Sequence, residues 1–410
     1  IRERRQPAFV LAPASLIYNW ANELRKFAPE LRVMIIDGER SERTGALETW
    51  SEQDVVITSY PLLRKDKELY GGMVFHTMIL DEAQAIKNHT SQTAHAVREI
   101  VARQKFALTG TPIENALEEL WSIFHVVFPE LLQSKQDFQV LSREQVAKRI
   151  RPFVLRRLKK DVLTELPEKM EYLQVSELLP EQKRLYAAFL AKLRQDTLKH
   201  LDDNTIHKHR IRILAGLTRL RQICCHPALC VEGYTGGSAK LEQLLEIVEE
   251  CRSSGRRMLI FSQFTQMLDL IRRELTQLGV QYFYLDGQTP PKERVELCDE
   301  FNEGSRDAFL ISLKAGGTGL NLTGADTVIL FDLWWNPAVE QQAMDRAHRM
   351  GQKNAVQVIR LVTQHTVEDK MVELQQRKKN LVEEVLHSGE TNESFWTEEE
   401  LREILMLQPS

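Results

Sequence analysis

Short apolar runs alternate with amphipathic stretches in two parts of the chain. In the first part the runs are AFVLAP (8–13), RVMIID (32–37), DVVITSY (54–60), TMILDEA (77–83) and FALTGTP (106–112). In the second part they are MLIFSQ (258–263), QYFYLDG (281–287), AFLISL (308–313), TVILFD (327–332) and VQVIRLV (356–362). Runs of this length between helical patterns are typical of a parallel sheet with helices on both faces. The pattern predicts an α/β protein with two parallel-sheet units.

A helical and basic region separates the two sets of runs. It includes RPFVLRRLKKDVL (151–163) and HKHRIRILAGLTRLRQ (207–222), and a glycine-rich segment, EGYTGGSAK (232–240), follows it. These helices present either solvated faces or a surface for nucleic acid or a partner, and the pattern leaves both open. We predict a first unit at 1–125, a helical insertion and linker at 126–237, a second unit at 238–375 and a helical tail at 376–410.

Composition sets only broad limits on the number of domains, the binding partners and the compartment of the protein. At about 150 residues per domain, 410 residues suggest two or three domains. The 54 basic and 58 acidic residues give a net charge of -4, so a nucleic-acid site would have to be a local basic surface. Five cysteines, an odd number in a long chain, suggest reduced thiols and a cytoplasmic location. No apolar run approaches the roughly 20 residues that a membrane span needs, so no membrane partner is expected.

An acidic pair ends one of the apolar runs. The segment MILDEAQAIKN (78–88) places Asp81 and Glu82 where a strand gives way to a loop. Ligands of parallel α/β sheets bind beyond the carboxyl ends of the strands. Asp81 could hold magnesium through a bound water there, and Glu82 could polarise an attacking water toward a γ-phosphate. A hydrated loop start is the alternative, and the pair alone does not exclude it.

The segment LTGTPIENALEELWSIF (108–124) follows another predicted strand. Its small and hydroxyl residues Thr109, Gly110 and Thr111 stand at the tip, before an amphipathic helix. Such a turn can sense a phosphate and relay its presence to a second domain. A tight turn leading through Pro112 into the helix is the simpler interpretation.

A third segment, NPAVEQQAMDRAHRMGQ (336–352), predicts a helix, because Asn336 is a plausible N-cap and Pro337 suits the first helical position. On that helix Gln342, Arg346 and Arg349 stand at i, i+4 and i+7 and share one face.

Two arginines and a glutamine in one line suit the binding of a phosphate, because guanidinium groups stabilise the charge of phosphoryl transfer. The alternative is a surface face on which the arginines form salt bridges with Glu340 or Asp345.

Two further segments carry weaker signals. In SLKAGGTGLNLTGAD (312–326), glycines 316, 317 and 319 would let the backbone approach a phosphate, although the segment is neither a dinucleotide fingerprint nor a Walker A loop. In QICCHPALC (222–230), Cys224, Cys225, His226 and Cys230 could suggest zinc. The adjacent cysteines break the usual ligand spacing, which favours buried thiols before a proline turn.

Ten segments, taken in chain order, resemble the successive motifs of Swi/Snf-type helicase-like ATPases of helicase superfamily two. They are LAPASLIYNWANELRKFAP, VITSYPLL, ILDEAQAIKN, LTGTPIEN, RPFVLRRLKKDV, LRQICCHP, LIFSQFT, YLDGQTP, SLKAGGTGLNLTGAD and DRAHRMGQ. Their joint occurrence is far more specific than any single segment, and it covers nearly the whole chain. The DEAQ form is similar to the microbial branch of the family.

The resemblance implies two RecA-like lobes that use ATP and Mg²⁺ and bind double-stranded DNA. Asp81 would then support magnesium, Glu82 would activate water, and Arg346 and Arg349 would be arginine fingers with Gln342 beside them. It also implies ATP contacts by Gly319 and Asn321 and coupling by Thr109, Gly110 and Thr111. The implied contacts with the DNA backbone are Pro13, Ser15, Thr58, Ser59, Gln263, Gly287, Gly317 and Thr318.

One element of the family pattern is missing from these residues. The Walker A sequence G-x-x-x-x-G-K-[ST] holds the β- and γ-phosphates, and none of the nineteen glycines is followed by lysine. We therefore expect that the sequence is a fragment whose own ATP hydrolysis is negligible.

The expected function is that of an ATP-dependent DNA translocase motor, monomeric and acting on DNA or on a DNA-bound protein complex. A degenerate, non-hydrolytic DNA-binding or protein scaffold is one alternative. An RNA helicase of the same superfamily is another, which the DEAQ form and the long helical insertion disfavour.

Overall fold

The computed structural model describes residues 6–110, 117–155, 157, 165–201, 206–304, 306–316, 320–335, 337–388 and 403. The chain forms two compact units. The first comprises Ile1–Val162, Pro290–Val295 and Val385–Glu393, and the second comprises Leu163–Thr289, Glu296–Glu384 and Ser394–Ser410.

The first unit is built on a five-stranded sheet in the order β2-β3-β1-β4-β5, and every neighbouring pair is parallel. Alternate residues of β1 face two separate cores: Phe9 and Leu11 enter one, and Val10 enters the other. A sheet buried on both faces explains why its strands read as continuous apolar runs. The strands are β1 (Ala8–Ala12), β2 (Val33–Ile36), β3 (Val55–Ser59), β4 (Val74–Leu80) and β5 (Val101–Ala107).

Short helices cover this sheet and continue beyond it. Helix α3 shows why one of them begins where it does, since the Ser59 side chain accepts a hydrogen bond from the Leu62 N–H and a proline follows at the start of the helix. The helices are α1 (Ile17–Phe27), α2 (Arg40–Glu48), α3 (Tyr60–Asp66), α4 (Gln92–Glu99), α5 (Leu117–Val127), α6 (Pro129–Leu132), α7 (Lys135–Gln139) and α8 (Arg143–Ile150).

The second unit is built on a six-stranded sheet in the order β6-β11-β10-β7-β9-β8, again with parallel pairing throughout. Leu259 and Phe261 of β7 face one core, whereas Met258 and Ile260 face the other. The strands are β6 (Lys169–Ser176), β7 (Met258–Ser262), β8 (Tyr282–Leu285), β9 (Ala308–Ser312), β10 (Thr327–Leu330) and β11 (Val356–Thr363).

Two long helices, α9 (Pro180–Leu201) and α10 (Ile206–Cys225), pack against each other and precede the core strands of this sheet. The remaining helices are α11 (Ala239–Ser253), α12 (Thr265–Gln277), α13 (Pro291–Asn302), α14 (Leu313–Gly316), α15 (Pro337–Met344) and α16 (Val367–Ser388).

The predicted fold class, an α/β protein with two parallel-sheet units, is confirmed. Strand β5 ends at Ala107, so the predicted run at 106–112 overlaps only its last residues. Strand β6 was not predicted. Its sequence KMEYLQVS is largely exposed at the sheet edge, where it pairs with β11, and therefore lacks a continuous apolar run.

Candidate functional site

Asp81 and Glu82 follow β4 directly, as predicted, at the carboxyl end of the strand. The Trp20 indole N–H donates to Asp81 Oδ2 at 2.8 Å, and the Glu82 backbone N–H donates to Asp81 Oδ1 at 2.9 Å. The Tyr60 hydroxyl donates to the Asp81 carbonyl at 2.8 Å. These three donors are neutral, so they fix the orientation of the aspartate without pairing its charge.

Burial of Tyr60, together with the neighbouring charges of Asp81 and Glu82, raises the pKa of its phenol well above the ordinary value. Tyr60 therefore remains a neutral donor across the physiological pH range, and the support that it gives to the Asp81 backbone does not titrate there.

Glu82 has left-handed backbone geometry, with φ at +49° and ψ at +54°. A non-glycine residue pays a conformational penalty in this region, and such residues cluster at functional sites. Its carboxylate Oε2 accepts a hydrogen bond from Gln84 Nε2 at 2.6 Å. The candidate water-activating residue is thus held by its backbone turn and by a neighbouring amide.

Gln84 also connects Glu82 to the strand-end turn that sequence analysis assigned to coupling. The Thr109 hydroxyl donates to Gln84 Oε1 at 3.0 Å, so one amide bridges the two segments. The Ala83 N–H donates to the Leu108 carbonyl at 2.9 Å, which adds a backbone link. Gly110 follows Thr109, whereas Thr111 lies outside the described residues. Sequence analysis gave Gln84 no role, although its place in DEAQ was the available signal.

In the second unit, the predicted helix at 336–352 ends at Met344, and 345–351 form turns. The prediction that Gln342, Arg346 and Arg349 share one helical face is therefore wrong. The helix ends where the Arg346 and Ala347 N–H groups donate to carbonyls three residues earlier, those of Ala343 at 3.2 Å and Met344 at 3.3 Å, instead of four. The Arg346 carbonyl accepts from the Leu322 N–H at 3.1 Å, and the Ala347 carbonyl accepts from Gln352 Nε2 at 3.0 Å, so neither serves a helix. The predicted N-cap, Asn336, lies outside the described residues.

We call residues 345–352 the arginine turn. Arg346 is buried within it, with 8% of its surface exposed, and Arg349 is half-buried. Gln342 is half-buried on the last turn of α15. The structure thus keeps the two arginines in one short segment that follows the helix.

Gln352 attaches the arginine turn to neighbouring segments by hydrogen bonds, and no role for it was predicted from the sequence. Its Nε2 donates to the carbonyls of Ala325 at 2.7 Å, Ala347 at 3.0 Å and Thr323 at 3.2 Å. Its Oε1 accepts the backbone N–H groups of Lys353 and Asn354, both at 2.9 Å. One buried amide therefore joins the turn to the loop before β10 and to the entry of β11.

Glu340, considered above as a salt-bridge partner of the arginines, forms its described hydrogen bonds with other residues. It is buried, it accepts the Trp334 N–H at 2.6 Å, and its carboxylate contacts Arg360 and Gln375. Burial raises the pKa of Glu340, and the charge of Arg360 opposes that rise. The pairing with Arg360 fixes α15 against β11 and leaves Arg346 and Arg349 to other contacts.

The residues implied to contact DNA fall into different environments. In the first unit Thr58 is fully buried and donates to the Ile36 carbonyl at 3.0 Å, while Ser59 is buried as the N-cap of α3. Ser15 is also buried, and Pro13 is half-buried in a turn closed by the Leu16 N–H. Direct contact of these hydroxyls with DNA stays a prediction, and the burial of Thr58 does not favour it.

In the second unit Gly287 is exposed in the turn after β8, and Asn321 is exposed with its carbonyl accepting from Asn302 Nδ2 at 2.8 Å. Gly317, Thr318 and Gly319 lie outside the described residues.

Gln263 belongs to a buried polar cluster that sequence analysis missed. Its Nε2 donates to Asp332 Oδ1 at 2.6 Å, and its Oε1 accepts from the Arg221 guanidinium at 3.1 Å. Arg221 and Asp332 are both fully buried, and Arg221 lies over the Trp335 ring at 4.7 Å. Burial raises the pKa of Asp332, against the lowering effect of Arg221. The cluster fastens α10 to the ends of β7 and β10.

Cys224 and Cys225 are fully buried, as predicted, just before the turn at Pro227. Across the described ranges, no three His, Cys, Asp or Glu side chains come together in a way that could hold a metal ion. Among the residues that the structure describes, no helix combines the length and apolar character needed to cross a membrane.

Two protein-family models match successive parts of the chain. The model of the SNF2-related domain matches residues 1–229, and the model of the helicase conserved C-terminal domain matches residues 239–351.

Several curated proteins are similar over most of the chain. An ATP-dependent helicase of Mycoplasma pneumoniae, itself uncharacterized, is 38% identical over 93% of the chain. The human SWI/SNF-related matrix-associated actin-dependent regulator of chromatin subfamily A member 1 is 36% identical over 93%. The ISWI chromatin-remodeling complex ATPase ISW1 of Saccharomyces cerevisiae is 33% identical over 94%. The chain spans 37%, 39% and 36% of the lengths of these relatives, respectively.

Among solved structures, the Sulfolobus solfataricus SWI2/SNF2 ATPase core in complex with dsDNA is 33% identical. The match covers 99% of this chain and 88% of that chain, with a TM-score of 0.49.

Proposed function

Because the chain belongs to the SNF2-related family, we propose that it forms the motor of an ATP-dependent double-stranded DNA translocase. The observation that carries the proposal is the linked site of the first unit. There the strained Glu82 is joined through Gln84 to Thr109, beside an oriented Asp81. An acid for magnesium, a base for water and a connection to a second segment are what a nucleotide-driven motor requires. Names of the relatives, an ATP-dependent helicase and a chromatin-remodeling ATPase, support the same class of activity.

The residues of this site fit a magnesium ion that keeps most of its water. Mg²⁺ in phosphoryl-transfer sites is usually bound by one or two carboxylates together with water and substrate phosphates. Asp81 offers one such carboxylate, oriented by Trp20, and would hold the ion through water. When bound, magnesium neutralises charge on the β- and γ-phosphates of ATP. Glu82 then orients the attacking water and accepts its proton.

In the same proposal Arg346 and Arg349 stabilise the charge that develops on the γ-phosphate, with Gln342 beside them. Gly319 and Asn321 contact the nucleotide. The Thr109–Gly110–Thr111 segment reports the state of the phosphate through Gln84, because a change at Glu82 reaches Thr109 by two hydrogen bonds.

The proposed nucleic-acid partner is duplex DNA, held by its backbone rather than read by sequence, as expected when contacts go to phosphates. We propose a monomeric motor, located in the cytoplasm, whose target is DNA or a protein complex bound to it. The chromatin-related relatives make a complex the natural target.

Glu82→Gln tests the proposal, in a protein that contains these 410 residues together with a Walker A loop. Phosphate release stimulated by duplex DNA should fall by about 10²- to 10⁴-fold, the usual contribution of a general base. Binding of duplex DNA, measured by fluorescence anisotropy, should be unchanged because the substitution is isosteric. Turnover that survives the substitution would contradict the assigned role. Stimulation by single-stranded RNA instead of duplex DNA would favour an RNA helicase.

A further inference from the structure

We infer that His348 is a positioning residue that ties the arginine turn to residues 165–168, which precede β6 within the second unit. The inference rests on the proposed function, because it concerns how Arg346 and Arg349 are held. The observation is a hydrogen bond between the imidazole Nε2 of His348 and the carbonyl oxygen of Pro167, at 2.8 Å. A carbonyl oxygen only accepts, so the imidazole carries its proton on Nε2 and donates it.

The position of Pro167 gives this bond its significance. The chain passes from the first unit to the second at Val162 and Leu163, and β6 begins at Lys169. Residues 165–168, which we call the joining segment, therefore connect that boundary to the sheet of the second unit. The Glu168 carbonyl accepts the Val356 N–H at 3.0 Å, which aligns the end of the joining segment with the start of β11. His348 adds a side-chain attachment one residue earlier.

The arginine turn depends on attachments of this kind. Residues inside a regular helix are fixed by their own backbone hydrogen bonds, but helix α15 ends at Met344, before both arginines. Backbone bonds back to the end of the helix continue for a few residues, such as the His348 N–H to the Met344 carbonyl at 3.3 Å. Bonds that attach the turn to other parts of the chain include the Leu322 N–H to the Arg346 carbonyl, the Gln352 amide and the His348 imidazole. Two of these join the turn to the loop before β10. His348 instead joins it to the joining segment.

His348 lies between Arg346 and Arg349 in the chain, so its bond to Pro167 restrains the backbone between the two arginine positions. Catalytic groups lose effectiveness when they are displaced by an ångström or less. Arginine fingers act mainly on the charge of the transition state, so a loosened turn lowers kcat more than it changes the KM for ATP.

The test compares His348→Ala with His348→Gln and His348→Asn in a protein that contains this chain and hydrolyses ATP. The Gln amide can place a donor near the original Nε2, whereas the shorter Asn amide cannot reach it. We expect His348→Ala and His348→Asn to lower DNA-stimulated kcat by about 3- to 10-fold, the value of one neutral hydrogen bond. The KM for ATP should change by less than about twofold, and His348→Gln should recover most of the lost kcat.

His226→Ala is the matched control, because His226 is a buried histidine of the second unit, whereas His348 is half-buried, and the His226 Nδ1 accepts the Ala228 N–H at 3.2 Å. It should lower the melting temperature by at least as much as His348→Ala while leaving kcat unchanged.

Three results would overturn the inference. They are an unchanged kcat in His348→Ala, a failure of His348→Gln to recover kcat, or an equal loss of kcat in His226→Ala. These results differ from failure of the proposed function, which would appear as turnover that is insensitive to Glu82→Gln in the same protein.

Discussion

The two units hold their charged groups in different ways. In the first unit Asp81 and Glu82 are half-buried and are oriented by the neutral side chains of Trp20, Tyr60 and Gln84. The second unit instead contains buried ion pairs, namely Lys240 with Glu368 at 2.5 Å, Arg221 with Asp332 at 3.9 Å, and Arg360 with Glu340.

This difference separates the carboxylates that are proposed to take part in the reaction from the charged groups that stabilise the fold. A carboxylate oriented by neutral donors keeps its full charge for a metal ion or a water molecule. A buried carboxylate paired with a guanidinium or an ammonium has its charge already compensated, and loss of one partner leaves an expensive isolated ion. The chemistry proposed for Asp81 therefore agrees with how it is held, and Asp332, Glu340 and Glu368 are structural by the same criterion.

Arg346→Ala should have the largest effect, and the quantity that changes is the rate of ATP turnover. If Arg346 is reactive although it is buried in the second unit, turnover should fall by about 10³-fold or more, as for other arginine fingers. Single-turnover hydrolysis measures the loss, and thermal melting shows whether the fold is retained. Arg349→Ala, at the other half of the turn, should produce a loss of similar size. A melting temperature that falls while turnover per folded molecule is preserved would make Arg346 structural instead.

Arg221→Met should have the next largest effect, which is a decrease in the free energy of unfolding. It leaves the Asp332 carboxylate buried without its cation, which typically costs about 3–5 kcal/mol of unfolding free energy. Urea denaturation followed by fluorescence measures the loss. The double variant R221M/D332N should recover part of it, because no unpaired charge remains. Equal losses in the single and double variants would show that Arg221 contributes by packing on Trp335 and not by its charge.

Most of the fold could be predicted from the sequence, because strands buried on both faces are continuous apolar runs. The runs around Val10, Ile57 and Ile260 all became central strands. The edge strand β6 could not be predicted by this rule, since Tyr172 and Leu173 are exposed and polar or charged residues stand on either side of them. Its existence depends on pairing with β11, which is information from tertiary structure.

The candidate site was predictable to the extent that it follows strand ends. Asp81, Glu82 and Thr109 follow β4 and β5, and Gln84 links Glu82 to Thr109 by two hydrogen bonds. The placement of Gln342, Arg346 and Arg349 was not predictable by helical spacing, because the helix ends at Met344 and the carbonyls of Arg346 and Ala347 bond to the Leu322 N–H and the Gln352 side chain. Helical periodicity carries no information about such bonds.

Gln84→Ala tests the bridge in the first unit and should have a smaller effect. It removes the donor to the Glu82 carboxylate and the acceptor of the Thr109 hydroxyl. A hydrogen bond to a charged group contributes about 1.5–3 kcal/mol, so DNA-stimulated turnover should fall by roughly tenfold or more. Thr109→Val removes the distal bond while keeping a similar shape, and it should cause a smaller loss. If both variants hydrolyse ATP normally, the bridge does not transmit the state of the phosphate.

Trp20→Phe should have the smallest effect on turnover. It tests whether the neutral donor that orients Asp81 affects the magnesium dependence of turnover. The substitution keeps an aromatic ring on α1 but removes the N–H that orients Asp81 Oδ2 at 2.8 Å. We expect a threefold to tenfold rise in the magnesium concentration that gives half-maximal turnover, at about the value of one hydrogen bond. Tyr18→Phe is the matched control, because Tyr18 lies on the same helix and donates to a different carboxylate, Asp37, at 2.9 Å. Its magnesium dependence should be unchanged. A similar shift in both variants would show that packing of α1, and not the orientation of Asp81, sets the response to magnesium.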